Sequence, residues 1–264
     1  MRYWLWRGSA VVAAGLELLA GQGARAAATT PDSFTLTWLG HAAFLIQAGE
    51  ETVLIDPFGS GLGYPVPSVT PDVVVITHEH FDHNDLRGVK GKPLILRGID
   101  PQSGNWQEIY YEGKRIAIRG VPVYHDDQRG KARGKNTVIV LTVGGVHIVH
   151  LGDLGHLLTD DQVKAIGRVD VLLIPVGGHF TVDGRTAAAV AEQLRPRVVI
   201  PMHYNNGTAA MRSWPITDSK PFVDAIRTKA KVRYDLGPSV KIEAGSLPSE
   251  TSVWVLRPPN GTGK

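Results

Sequence analysis

Residues 77–84 read THEHFDHN, an H-x-H-x-D-H pattern set directly behind the apolar run VVVI at 73–76. In extended backbone, residues two apart project to the same side, so His78 and His80 can turn their imidazoles toward one cation. Asp82 and His83 follow as the chain turns, and can face a second cation beside the first. Imidazole nitrogen with carboxylate oxygen suits zinc, manganese or iron better than calcium. The plain alternative is a solvated polar turn after a strand. A metal needs three or four ligands, so this segment alone is incomplete.

The missing ligands have candidates further along. His125 follows VPVY, Asp153 follows IVHLG, and His203 follows VVIPM, each just beyond an apolar strand-like run. In sheets with helices packed outside, ligand sites form at that end of the strands. His125 can complete the first site, His203 can join Asp82 and His83 in the second, and Asp153 can bridge both with its two oxygens. A bridging carboxylate and hydroxide would hold two divalent ions ~3.5–4 Å apart, as in two-metal hydrolases. Asp82 can also orient the attacking water. His179 follows Gly177 and Gly178, where backbone can approach a ligand closely, and is a candidate substrate contact. Tyr204 and Asn205 are candidates for polarising a substrate oxygen. Arg129, Lys131 and Arg133 form a basic loop that could meet an anionic substrate, though most charge runs are solvated faces. His150 could support the site from behind. His41 and His156 could line the pocket, with ordinary structural roles equally open; no specific role is assigned to His147.

Taken in order, THEHFDH, YHDDQ, HLGDLGH and IPMHYN resemble the metallo-β-lactamase superfamily, as do TWLGHAAFLI, LIDPF and LLIPVGGHFTVD. The pattern looks most like the branch of metal-dependent hydrolases related to ascorbate-6-phosphate lactonases. That resemblance implies a four-layer αββα sandwich with metals at one edge of the sheets. It implies His78, His80 and His125 on the first metal, Asp82, His83 and His203 on the second, and Asp153 on both. The antibiotic-hydrolysing relatives usually lack the bridging aspartate, and one class uses a cysteine ligand. This chain has Asp153 and no cysteine. The long insertion of the RNA-processing relatives is absent.

These residues need strands to carry them. Residues 34–58 read as three short strands with a turn at Gly49-Glu50-Glu51, and 59–71 as a Gly- and Pro-rich loop. A strand over 73–77 follows, then two or three more before His125. Residues 137–153 form a hairpin turning at Gly144-Gly145. After it, Thr159 with Gln162 makes a capping box for a helix. VDVLLIP and RVVIPM are buried strands, DGRTAAAVAEQL is a helix stopped before Pro196, and SKPFVDAIRTKA is another with Pro221 near its start. A strand-rich first half followed by β-α-β-α-β wants sheets inside and helices outside.

Residues 1–26 carry early arginines, an apolar stretch from Ala10 to Ala20 and an A-x-A pattern at Ala24-Arg25-Ala26, the layout of a secretory signal peptide. The expected organisation is that leader followed by a single hydrolase domain over 27–264, in the periplasm or secreted. The apolar stretch falls short of the ~20 residues of a spanning helix, so no stable membrane insertion is expected once the leader is removed. Leader removal takes Arg2, Arg7, Arg25 and Glu17 with it, so the net charge drops from +3 to +1. Nothing general then draws the chain to nucleic acid, and a small-molecule substrate is the expected partner. Without cysteine there are no disulfides, no thiolate ligands and no cysteine nucleophile. The expected activity is a dinuclear hydrolase, probed with zinc first, cleaving an ester, lactone or phosphoester. Its rivals are a di-iron redox protein acting on dioxygen or peroxide, and a non-catalytic metal-dependent binding protein.

Overall fold

The computed structural model describes residues 33–259. The expected leader, residues 1–26, lies outside them. Strand β1 (Ser33–Gly40) alternates strictly, burying Phe34, Leu36 and Trp38 while its threonines face outward. Such a period-two pattern commits one face to the core. β2 (Ala43–Ala48) and β3 (Glu51–Ile55) continue antiparallel through the expected turn. β4 (Val73–Ile76) and β5 (Leu94–Arg97) then add in parallel. All four residues of β4 are buried because both its faces are covered. Val73 and Val75 join the main core, while Val74 and Ile76 join Leu54 in a second cluster.

The second sheet begins with β6 (Tyr110–Glu112), β7 (Ile116–Tyr124), β8 (Lys135–Val143) and β9 (Val146–His150), joined antiparallel. Helix α1 (Asp160–Ile166) opens with the predicted box: Thr159 accepts from the Gln162 N–H, and Gln162 Oε1 accepts from the Thr159 N–H. β10 (Val171–Pro175), α2 (Gly184–Leu194) and β11 (Val198–Met202) follow as parallel crossovers. Asp183 caps α2, and the left-handed Arg195 ends it one residue before Pro196. α3 (Lys220–Ile226) leads to β12 (Lys231–Arg233), β13 (Ser239–Glu243) and β14 (Ser252–Trp254).

The first sheet has the order β13-β1-β2-β3-β4-β5, and the second β12-β14-β11-β10-β9-β8-β7-β6. Their inner faces share one large apolar core, the sandwich expected from the pattern. α1 packs on β7, α2 on β10 and on α3, so the helices cover the eight-stranded sheet. Over the six-stranded sheet the outer layer is irregular: Val69, Leu86 and Val89, from loops and turns, pack on Leu54, Val74 and Ile76. The β4–β5 connection is polar and Gly/Pro-interrupted, so it covers that face without a helix.

The pairing directions decide where the site forms. β1, β3 and β4 run the same way in the first sheet, as do β7, β9 and β11 in the second. The ends of these six strands lie along one edge of the sandwich.

Candidate metal centre

Each of those six strands delivers polar groups to that edge. β1 is followed by His41, β3 by Asp56, β4 by the 77–83 segment, β7 by His125, β9 by Asp153 and β11 by His203. His41, Asp56 and His203 hold positive φ angles of 51°, 46° and 51°. Non-glycine residues enter that region at a cost and cluster at functional sites. Gly155 is required nearby: a Cβ there would lie 2.2 Å from the His125 carbonyl oxygen.

The structure brings all seven candidate ligands together. Asp153 Oδ2 lies 3.2 Å from both His125 Nε2 and His203 Nε2, and 3.8 Å from His78 Nε2. Its Oδ1 lies 3.3 Å from His83 Nε2. Asp82 Oδ2 is 3.7 Å from His83 Nε2 and 3.8 Å from His203 Nε2. Two of the three groups of close donors match the expected sets, His78, His80 and His125 on one side and Asp82, His83 and His203 with His41 on the other; the third, Asp56 with His78 and His83, shares their members. Asp153 stands between the first two. All are buried except His80, which stands at the solvent-facing rim.

His41 is the addition that sequence reasoning left open. Its Nε2 lies 2.9 Å from Asp82 Oδ2, and its ring sits 4.1 Å from that of His203. Asp56 is the residue it missed. Asp56 Oδ2 accepts from His83 Nδ1 at 2.9 Å and from the Thr77 hydroxyl at 2.7 Å, while Oδ1 accepts from the Thr77 N–H. Thr77 Oγ1 also lies 2.9 Å from His78 Nδ1. Both residues stand just past a strand, the same signal that picked out His125, Asp153 and His203.

Other candidates fall elsewhere. Tyr204 is buried with its ring 5.6 Å from Trp38, away from the pocket wall. The Asn205 side chain donates to the Met211 carbonyl and accepts from the Gly207 N–H, pinning its own loop. The His179 ring is exposed and packs edge-on against Phe180; Phe180, not His179, lines the pocket. His150 Nδ1 accepts from the Gly152 N–H, so its Nε2 donates to the Ala42 carbonyl at 2.8 Å. It thus ties the turn before Asp153 to the residue after His41. His147 pairs with Asp170, and His156 Nε2 accepts from the Tyr124 N–H.

Charge is tightly coupled here. Burial would raise the Asp153 carboxyl, but the His203 and His83 charges hold it well below the usual range. Asp82 is likewise pushed up by burial and drawn well below that range by His83, His203 and His41. In return, His83 is raised well above an ordinary histidine by Asp153 and Asp82 despite its burial. His203, against the same burial, is pushed up to about 9. Burial, then the His203 charge, lowers His41 to about 4.

The donor set fits divalent cations. Burying polar atoms without hydrogen bonds costs free energy. Yet His83 Nε2, both ring nitrogens of His125 and of His203, and Asp153 Oδ1 are buried without hydrogen-bond partners. Of these, the Nε2 atoms of His83, His125 and His203 approach the carboxylate oxygens of Asp153 and Asp82 at 3.2–3.8 Å, in the spacing of ligands around ions.

A sequence profile of a beta-lactamase superfamily domain matches residues 35–203. The chain belongs to the β-lactamase superfamily. Its relatives in the superfamily include a UPF0173 metal-dependent hydrolase from Pyrococcus furiosus, 35% identical over 75% of this chain and 94% of that protein. Among solved structures, a candidate Zn-dependent hydrolase of the metallo-beta-lactamase superfamily from Thermotoga maritima is 31% identical, with a TM-score of 0.64 over 84% of this chain and 98% of that one. A metallo hydrolase from Ignicoccus hospitalis, 26% identical, covers 80% of this chain and 99% of its own with a TM-score of 0.59. Superfamily membership agrees with the resemblance carried by the histidine motifs.

Proposed function

We propose that this metal-dependent hydrolase uses a pair of divalent ions, zinc first among them, to cleave a small ester, lactone or phosphoester. The observation that carries the reading is Asp153, whose two oxygens reach His83, His125 and His203 at 3.2–3.3 Å from opposite sides of the cluster. His78, His80 and His125 would hold one ion, and Asp82, His83 and His203 the other, with Asp153 shared. When bound, the pair supplies a water activated near neutral pH and a Lewis acid for the substrate oxygen.

The chain's own groups do the rest. Asp82 opens onto the pocket and is the carboxylate placed to orient the nucleophile. His41 fixes Asp82 Oδ2 and so sets the plane of that carboxylate. Asp56 and Thr77 fix the ring planes of His83 and His78. Phe81, Phe180 and Trp214 wall the pocket with apolar surface beside the cluster. With no cysteine in the chain and the metals supplying the nucleophile, no covalent intermediate is expected. The leader-like first 26 residues support export, checked by the N-terminal sequence of protein recovered from the producing cells.

The test is metal analysis of purified protein followed by a panel of lactones, phosphodiesters and thioesters assayed with zinc and with manganese. Turnover that vanishes in His80→Ala, with metal content reduced and circular dichroism unchanged, is the expected result. Metal-loaded protein that cleaves none of them, or that carries redox-active iron with oxygen uptake, would overturn it.

A further inference from the structure

The pocket above the cluster has a volume of about 230 Å³. That is below the usual range for drug-sized ligands and leaves room for a single ring or a short acyl group. Its walls are aromatic: Trp214 lies with its ring 6.2 Å from Phe81 and 5.8 Å from Phe180. The remaining wall is Arg133, the one arginine or lysine that lines the pocket.

Arg133 is held rather than loose. Its Nη2 donates to the His179 carbonyl at 2.8 Å, and its guanidinium carbon sits 4.9 Å over the Phe180 ring. Its backbone N–H donates to Asp126 Oδ2 at 2.7 Å, and Asp126 also accepts from the N–H groups of Gln128, Gly130 and Ala132. Four backbone donors on one buried carboxylate fix the path of the loop immediately after His125. A guanidinium has five N–H donors in a planar fork. One carbonyl uses one of them, and Arg133 has no carboxylate partner among the described residues.

A preorganised, unpaired fork beside an apolar pocket is built for an oxyanion, because guanidinium binds carboxylate and phosphate in paired, charge-assisted bonds. We infer that Arg133 is a specificity residue that reads a carboxylate or phosphate carried by the substrate away from the cleaved bond, so that the preferred substrates are ring-sized and anionic. The inference rests on the hydrolase reading for the word substrate. The binding it describes does not depend on turnover.

Calorimetry on the zinc-loaded full chain tests it with matched probes. Isophthalate is compared with monomethyl isophthalate for the carboxylate arm, and 3-phosphonobenzoate with benzoate for the phosphate arm. The wild type should bind at least one doubly anionic probe about tenfold or more tighter than its partner, the value of a charge-assisted bond. Arg133→Gln should erase that preference while binding the singly charged probe within about twofold of wild type. Arg133→Lys, which keeps the charge and loses the fork, should restore part of it, a control against mere misfolding of the loop. No preference in the wild type, or an undiminished one in Arg133→Gln, overturns the inference. Arg133-dependent preference in a protein that hydrolyses nothing sinks the hydrolase reading alone. Hydrolysis by a protein that shows no charge preference in these titrations sinks this inference alone.

Discussion

The two sheets contribute to the metal cluster by different means. On the six-stranded side, the ligands come from one short segment after β4, and their rings are fixed by chemistry: Asp56 holds His83, and Thr77 holds His78. On the eight-stranded side, three ligands come singly from three strand ends, and among the described residues no side chain hydrogen-bonds a ring nitrogen of His125 or His203. Their placement is set by backbone instead. The His125 N–H donates to the Gly134 carbonyl, its own carbonyl packs against Gly155, and the left-handed His203 donates its N–H to the His41 carbonyl. One half of the site is oriented by hydrogen bonds, the other by topology.

The largest expected effect joins the halves. Asp153→Asn should lower hydrolysis by more than about 100-fold, at least as much as losing a supporting residue, and should reduce bound metal in elemental analysis. If activity survives, the halves work independently and the shared carboxylate is not central. Asp56→Asn acts on the six-stranded half alone. It should weaken metal affinity by about 10–100-fold in competitive chelator titrations, with turnover recovering at high metal. An affinity equal to wild type would show that the hydrogen-bonded half needs no such brace.

Metal removal probes the charge coupling that spans both halves, since His83 and His203 are both raised by Asp153 and Asp82 against their burial. In chelated protein, His203 is held protonated up to about 9 by its carboxylate neighbours after the opposing effect of burial. Because that folded value lies above the unfolded one, its contribution to stability is complete below about 6.5 and lost as pH rises through about 9. Metal competes with the same proton, so affinity should rise over that window and binding near neutral pH should release protons. Calorimetry in buffers of differing ionisation enthalpy measures the release. Chelation at neutral pH should also lower Tm by roughly 5–10 °C, given a metal present at about a hundred times its Kd or more. A pH-independent affinity would remove His203 from the ligand set. The smallest effect is remote from both halves: Lys229→Ala, which breaks an exposed pair with Glu192, should change stability by less than about 1 kcal/mol in urea unfolding.

The same contrast explains which parts of the site are legible in the sequence. The 78–83 segment was legible because its ligands are close in sequence behind a strand whose residues are all apolar. The three singletons were legible because each also follows an apolar run. Asp56 has that setting too, but it serves a ligand instead of being one, and spacing carries no sign of that. Tyr204 and Asn205 were misplaced by adjacency: the left-handed turn at His203 sends the next side chains toward Trp38 and the 207–211 loop. β12 and β14 have three residues each and exposed or mixed faces, too little alternation to declare themselves. β5 is parallel and only partly covered, with Leu94 exposed. Among the described residues the cover over the six-stranded sheet is irregular, and both stretches that supply it, the 59–71 loop and the β4–β5 connection, are interrupted by glycine and proline.

β13 closes the outer edge of β1, pairing Ser33 with Glu243 and Leu36 with Val240. During synthesis, the earliest strand of the sandwich therefore leaves the ribosome with a bare edge that only nearly the last part of the chain can cover. A nascent chain exposes His78 and His80 long before His203 exists, so the candidate ligand set cannot close until β11 (Val198–Met202) has been made.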